Sequence, residues 1–517
     1  MLKLSPDSLD WALQHALSKG DTDIFPRAFE FQAIDSNWDG VRDCLANQDI
    51  LSWTSRPLRQ CLSPKRRYGF RVATQLDPLD FLIFSALVYE IGEDIEARRL
   101  EDQTVVSYRF NPQQDGSLYD PTVGYSAFQA RSKEMASEYD HVVVTDIADF
   151  FPRLYLHRVE GALSKATNRN NHVRSLTQLF SQWNQTQSYG IPVGPSPSRL
   201  IAEISLDDVD KLLRSEGITF VRYMDDYRLF TNSPVEGYQQ LTTLANALFK
   251  NHGLTLQQEK TSIISADDFL ENYCGTGDSE ELQSLTVMFS EFLEGIGIED
   301  PYGFIEYDDL DPQSQALIDS LNLADLLQKE LENDEIDPQM VRFVLRRLGQ
   351  LDNPAGVDAV LSNIEKVFTV FPQVIQYFAR LRSLDNEERR VVGERVLSLM
   401  DNSYLSQLDF HRCWLLSLFS EGTEWGNPER LISLYSDAQD NFSKRKLTLA
   451  LGKSNQDYWF RIRKDDILEY GGWQKRAFLA GASCLPADER KHWYRFLDRR
   501  LDILEKSVVN WAVASPF

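Results

Sequence analysis

The sequence predicts an α+β N-terminal part followed by an all-α region of stacked helical hairpins of the HEAT type. Three observations carry this. Phe220-Val221-Arg222-Tyr223-Met224-Asp225-Asp226-Tyr227-Arg228-Leu229-Phe230 reads as two short strands meeting at a pair of carboxylates. His141-Val142-Val143-Val144-Thr145-Asp146 reads as a buried strand that ends on a third. From Pro338 onward, short amphipathic segments alternate with turn residues and show no exact repeat.

The 517 residues are long for a single core and suggest two domains, and a hydrophobic content of 42% is ample for globular packing. The formal charge of −24 is unusual for a chain that holds nucleic acid, so any phosphate-binding groove is either local or built from few contacts. Cys44, Cys61, Cys274, Cys413 and Cys484 are odd in number and have no metal-ligand spacing, which argues against a zinc site or disulfide framework and reads as core thiols of a reducing compartment. Met1 to Asp7 lacks a signal-peptide apolar region and no apolar run nears membrane-spanning length. The expectation is a soluble cytoplasmic protein with no membrane partner.

Taken in order, Ser5-Pro6-Asp7 opens a helix with Leu9, Leu13 and Leu17 on one face, followed by Phe25, Phe29, Phe31 and Trp38. Ser63-Pro64-Lys65-Arg66-Arg67-Tyr68-Gly69-Phe70-Arg71-Val72-Ala73 sets four cations within seven residues beside a glycine. This suits a β-ribbon that clamps a triphosphate, and equally a solvated basic loop. A helix rich in Leu, Phe and Ala follows Asp77-Pro78-Leu79-Asp80 as far as Glu90. Tyr155 to Trp183 reads as helices broken at Asn168 to Asn171. Gly190-Ile191-Pro192-Val193-Gly194-Pro195-Ser196-Pro197-Ser198-Arg199-Leu200 forms a rigid turn whose backbone can approach a flat ligand, and it leads into the helical run Ile201 to Leu206.

After the hairpin, Tyr238 to Phe249 is an amphipathic helix, and Gly253 to Thr261 reads as a strand ending in Glu259-Lys260-Thr261. His157, His172 and His252 lack ligand spacing and are read as solvated. Glu280 to Asp337 is acidic, is broken by Gly295, Gly297 and Pro301, and reads as a connector with some helix. The helical segments that follow are Val341 to Leu348, Val357 to Phe368, Val374 to Leu381, Glu387 to Met400, Leu405 to Phe419, Leu431 to Tyr435, Trp473 to Cys484 and Trp493 to Trp511. Packing explains the tryptophans of the last two better than a basic aromatic patch does.

Chemically, Asp225 and Asp226 repel each other and lose hydration near a core, so a cation must compensate them if they are more than a solvated turn. Hard oxygen ligands favour Mg²⁺, with Mn²⁺ as the alternative. Asp146 on a neighbouring strand would complete a two-metal site that aligns an attacking hydroxyl with a nucleotide phosphate.

In this order the three segments resemble the reverse transcriptases. Asp146 matches the catalytic aspartate of their first palm motif, Gly190 to Leu200 the template and nucleotide-positioning motif, and Tyr223-Met224-Asp225-Asp226 the tetrapeptide bearing the other catalytic carboxylates. Val193 stands where the common members carry glutamine, which puts ordinary template copying in doubt. The Gly-Ile-Pro-Val-Gly-Pro form resembles the bacterial abortive-infection and defence-associated branch, whose members include template-independent, protein-primed polymerases that assemble into homo-oligomers. The resemblance implies fingers and palm over residues 1–275, an acidic connector over 276–337, and a helical-repeat domain over 338–517 in place of a thumb. It implies metal binding by Asp146, Asp225, Asp226 and the backbone of Ile147, and dNTP contacts from Lys65, Arg71, Ala148, Asp149, Phe150, Phe151, Pro192 and Gly194. Phe151 would exclude a ribose 2′-hydroxyl. Lys260 would stabilise or protonate the leaving pyrophosphate, unless it is simply a surface lysine.

The expected function is antiphage-defence DNA synthesis from dNTPs, with a single-stranded DNA product covalently attached to the protein. The alternatives are an RNA-templated enzyme working from a bound non-coding RNA, and a catalytically silent scaffold.

Overall fold

The computed structural model describes the chain except residues 67–68, 186, 273–279, 296–304, 306, 308–309, 422–424 and 516–517. Arg67, Tyr68, Cys274, Gly297, Pro301 and the expected boundary at 275/276 lie outside the described residues. The chain divides into two units, Met1–Gln60 with Val72–Gly277, and Cys61–Arg71 with Asp278–Phe517.

The first unit is built on an antiparallel sheet in which β3 (His141–Asp146) lies between β5 (Asp226–Thr231) and β6 (Ser262–Ser265), with β4 (Thr219–Tyr223) outside β5. Period-two alternation sorts the side chains of β3. Val142 and Val144 pack with Val221, Phe230, Phe128 and Phe269 on one face. On the other, α5 (Pro234–Ala247) lies close enough that a Cβ on Gly237 would stand 3.2 Å from the Val143 side chain. Of the helices in this unit, α1 (Pro6–Lys19) packs on α2 (Pro78–Arg98), α2 packs on α3 (Ser196–Ser205), and α4 (Asp207–Ser215) packs on β4. Proline in the first turn starts α1 and α2, and the caps are Ser5, which accepts from Ser8 N–H at 3.0 Å, and Asp77, which accepts from Leu79 N–H at 3.2 Å. The strands β1 (Arg59–Arg66) and β2 (Gly69–Gln75) pair as a separate ribbon whose outer part, Cys61–Arg71, belongs to the second unit.

The second unit is helical, and six of its helices pack in sequence: α6 (Pro338–Gln350), α7 (Phe371–Arg380), α8 (Asp409–Ser420), α9 (Asn441–Lys453), α10 (Gly472–Gly481) and α12 (Ile503–Ala514), each against the next. Between the last two lies α11 (Ala487–Leu497). Two sequence readings change here. The segment Trp493 to Trp511 is two helices parted by a 3₁₀ turn at Asp498–Arg500. The acidic stretch is more helical than a connector, since Pro312–Leu321 and Leu323–Glu332 are helices and Leu327 and Leu331 are fully buried. No described helix is long and apolar enough to cross a membrane.

Candidate active site

Three buried valines deliver Asp146 to the end of β3, where it is itself buried. Antiparallel register sets it opposite Asp226, the first residue of β5, which in turn pairs with Tyr223 at the end of β4. Directly opposed residues share a face, with Cβ atoms about 5 Å apart. Asp225 sits beside them on the tight turn. Two backbone straps hold the group: Ile147 N–H donates to the Asp225 carbonyl at 3.1 Å, and Gln257 N–H donates to the Asp146 carbonyl at 2.7 Å. Ile147 also bridges Leu256.

The Lys260 ammonium bonds the Asp146 carboxylate. Partial burial works against its charge, but the bond to Asp146 and the fields of Asp146, Asp226 and Asp225 outweigh that and raise its pKa. A cation is therefore already held against the carboxylates. As the side chains stand, no group of three His, Cys, Asp or Glu residues among the described residues is gathered to hold a metal ion. The donor type and the register of Asp146 with Asp226 nevertheless suit a hard divalent cation, with the ammonium supplying positive charge in its place.

The turn is held from behind by a buried ionic cluster. Met224 has φ +55°, a conformation that ordinarily favours glycine. Its N–H donates to Ser107 Oγ at 2.9 Å, and its carbonyl accepts from Arg222 Nη1 at 2.7 Å. The Ser107 hydroxyl donates to Glu203 on α3. Arg222 meets Glu203 at 3.0 Å and Asp210 on α4 at 2.6 and 2.8 Å, and Arg99 meets Glu203 at 2.9 Å. Burial opposes the Arg222 charge, but Asp210 and Glu203 hold its pKa well above the ordinary value.

Sequence reasoning assigned none of these residues a role. The available signal was an arginine inside an apolar strand and a glutamate inside the apolar run Ile201 to Leu206, each costly to bury without the other.

The remaining residues expected at the site fall into two groups. Ala148, Asp149, Phe150 and Phe151 follow directly on β3: Asp149 is left-handed at φ +48° and exposed, Phe150 is buried, and Phe151 is half-buried. The Phe151 carbonyl accepts from Ile191 N–H at 3.1 Å, which ties in the turn that carries Pro192 and Gly194. Gly194 has φ +125°, and a Cβ there would come within 2.5 Å of Thr22 Oγ1, so the glycine is required. Lys65 and Arg71 belong to the second unit.

Two readings are corrected. The strand expected before Glu259 reduces to the single bridge at Leu256, followed by a 3₁₀ turn at Gln258–Lys260 and then β6. Of the histidines, His157 is exposed as expected, whereas His172 and His252 are buried and paired with Glu90 at 2.6 Å and Asp208 at 2.8 Å.

No curated protein matches this chain. Among solved structures, the telomerase of Candida albicans in complex with a fragment of telomeric RNA is similar at 10% identity, covering 71% of each chain with a TM-score of 0.32. The apo telomerase of Candida tropicalis is 12% identical, with 75% of this chain and 74% of that one covered and a TM-score of 0.33. The family model for reverse transcriptase (RNA-dependent DNA polymerase) matches residues 87–289, a span that contains Asp146, Asp225, Asp226 and Lys260. The chain thus carries a reverse transcriptase domain.

Proposed function

We propose that this protein is a nucleotidyltransferase that builds DNA from dNTPs, and that Asp146, Asp225, Asp226 and Lys260 do the work. The observation that carries this reading is the register of Asp146 with Asp226, with Asp225 on the adjoining turn, inside the matched span. The three carboxylates, with the Ile147 carbonyl, would hold Mg²⁺ or Mn²⁺, which when bound lowers the pKa of the attacking hydroxyl and supports the charge on pyrophosphate. The hydroxyl oxygen bonds the α-phosphorus of the dNTP as the bond to the β-phosphate breaks, the hydroxyl proton passes to solvent, and Lys260 gives a proton to the departing pyrophosphate. Lys260 must leave Asp146 for this, and a primary ammonium on a flexible stem is suited to the exchange. Phe151 would face the sugar and favour deoxynucleotides, and Ala148, Asp149, Phe150, Pro192 and Gly194 would frame the nucleotide, with Lys65 and Arg71 on its triphosphate.

Synthesis on this reading is template-independent and starts on a protein hydroxyl. Its support is Val193, an aliphatic residue where the family commonly places a hydrogen-bonding glutamine. The same resemblance supports a cytoplasmic antiphage role and a homo-oligomer, in which fingers and palm over 1–275 are followed in sequence by HEAT-like helices over 338–517 that stand in for a thumb. A second reading, RNA-templated synthesis on a bound non-coding RNA, is favoured by the character of the matched family itself, an RNA-dependent polymerase.

Purified protein incubated with each labelled dNTP and Mg²⁺, without primer or template, separates these. Label that stays with the protein until protease digestion is the expected result. Incorporation only after RNA is added selects the second reading, and no incorporation under either condition leaves a scaffold.

A further inference from the structure

In a chain of charge −24, one surface stands out for unopposed positive charge. Along α11 and the 3₁₀ turn that continues it, Lys491, Arg495 and Arg499 recur every four residues, with His492, Phe496 and Arg500 one position further on, and all six are exposed. That spacing puts them on one face, about 6 Å apart along the axis.

Two neighbouring acids are engaged elsewhere, while Asp488 in the first turn of α11 stands three residues before Lys491. Glu489 pairs with Lys464 at 2.7 Å and Arg461 at 3.1 Å, and Asp498 pairs with Lys506 at 3.5 Å. Among the described residues, the side chains of Lys491, Arg495 and Arg499 make no ion pair or hydrogen bond. Phe496 is 67% exposed, and the Arg500 guanidinium lies 5.1 Å over its ring.

A solvated helix face in an acidic protein needs neither the row of unpaired cations nor the exposed ring. A polyanion with flat π faces uses both, because phosphates meet the cations and a base replaces water on the phenylalanine.

We propose that this face of α11 binds single-stranded nucleic acid, the class of product that the polymerase reading implies and on which this inference rests. A single strand is favoured over an acidic peptide because the ring lies within the cationic row, where a base can stack between phosphate contacts.

The test uses the full chain and a fluorescent oligo(dT) of about 16 nucleotides, a typical length for one binding platform, read by anisotropy across a salt series with neither dNTP nor metal present. The triple variant K491E/R495E/R499E should weaken binding at least tenfold and flatten the log–log salt slope by about 2, at roughly 0.7 for each phosphate left without its cation. Phe496→Ala should weaken binding about fivefold with an unchanged slope, the signature of lost stacking. Should triple charge reversal unfold the chain, R495Q/R499Q carries the same test with a smaller slope change.

Oligonucleotide affinity equal to wild type in the folded variants overturns the proposal. So does a loss of affinity that merely tracks a change in oligomer mass by light scattering, which would assign the face to a second copy of the chain. Since nothing in the assay can polymerise, missing incorporation alongside intact binding would sink only the polymerase reading.

Discussion

Arg222 in the first unit and Arg476 in the second are each 1% exposed, and the two regions accommodate them by different chemistry. Arg222 is gripped by the carboxylates of Asp210 and Glu203 and spends one further donor on the Met224 carbonyl. Arg476 lies 4.7 Å over the Trp473 ring, which Arg445 also approaches at 5.0 Å while donating to the Trp473 carbonyl at 2.8 Å. Charge-assisted bonds are directional, so the first arrangement fixes a turn and through it a carboxylate. A ring face, by contrast, accepts a cation over a range of angles. Buried charge in the first unit therefore marks position.

The largest effects are expected on truncating the two arginines. Arg222→Met leaves two buried carboxylates short of their partner and should cost about 3–5 kcal/mol. Arg476→Met gives up the contact with the Trp473 ring face, at about 2 kcal/mol for a desolvated pair. Urea midpoints of the two variants check this, and equal losses would erase the distinction.

A smaller effect is expected at Ser107→Ala, which strips the acceptor from Met224 N–H and the donor from Glu203, at about 1–3 kcal/mol. Because Met224 is left-handed and adjoins Asp225, incorporation should fall by more than the loss of folded protein explains. Activity measured well below the melting temperature, per folded molecule, separates the two contributions.

The smallest effect concerns Asp208 and His252. Partial burial opposes ionisation of Asp208, but the bond from His252 and its field outweigh burial and hold the carboxyl below its ordinary range. A depressed carboxyl stabilises the fold above its unfolded pKa of about 4 and loses that contribution as pH falls through the folded value. Asp208→Asn should accordingly narrow the stability difference between neutral and acidic pH, and thermal melts over that range measure it.

Much of the sheet was legible because apolar, β-branched and aromatic runs flanked the turn, and three valines ran straight to Asp146. Other elements were hidden for physical reasons. β6 is a half-buried strand with serine at both ends, whereas Leu254-Thr255-Leu256 alternates like a strand but forms a single bridge. α9 opens on Asn-Phe-Ser-Lys-Arg-Lys, which reads as solvent-facing, yet Arg445 and Lys446 are buried there and Lys446 pairs with Glu421. His172 and Glu90 are 82 residues apart, and His252 and Asp208 are 44 apart, distances over which no local pattern signals a pair. The cluster behind Met224 was illegible for the same reason, since Ser107, Glu203 and Arg222 meet only in the folded chain.

On the polymerase reading, Asp146, Asp225 and Asp226 act together as a cation site. Electron paramagnetic resonance of free Mn²⁺, titrated with protein in the presence of a dNTP, tests it without relying on turnover. Saturable Mn²⁺ uptake is expected for the wild-type chain, weakened at least tenfold in Asp225→Ala with the fold intact. Uptake by the variant equal to that of the wild type would contradict it.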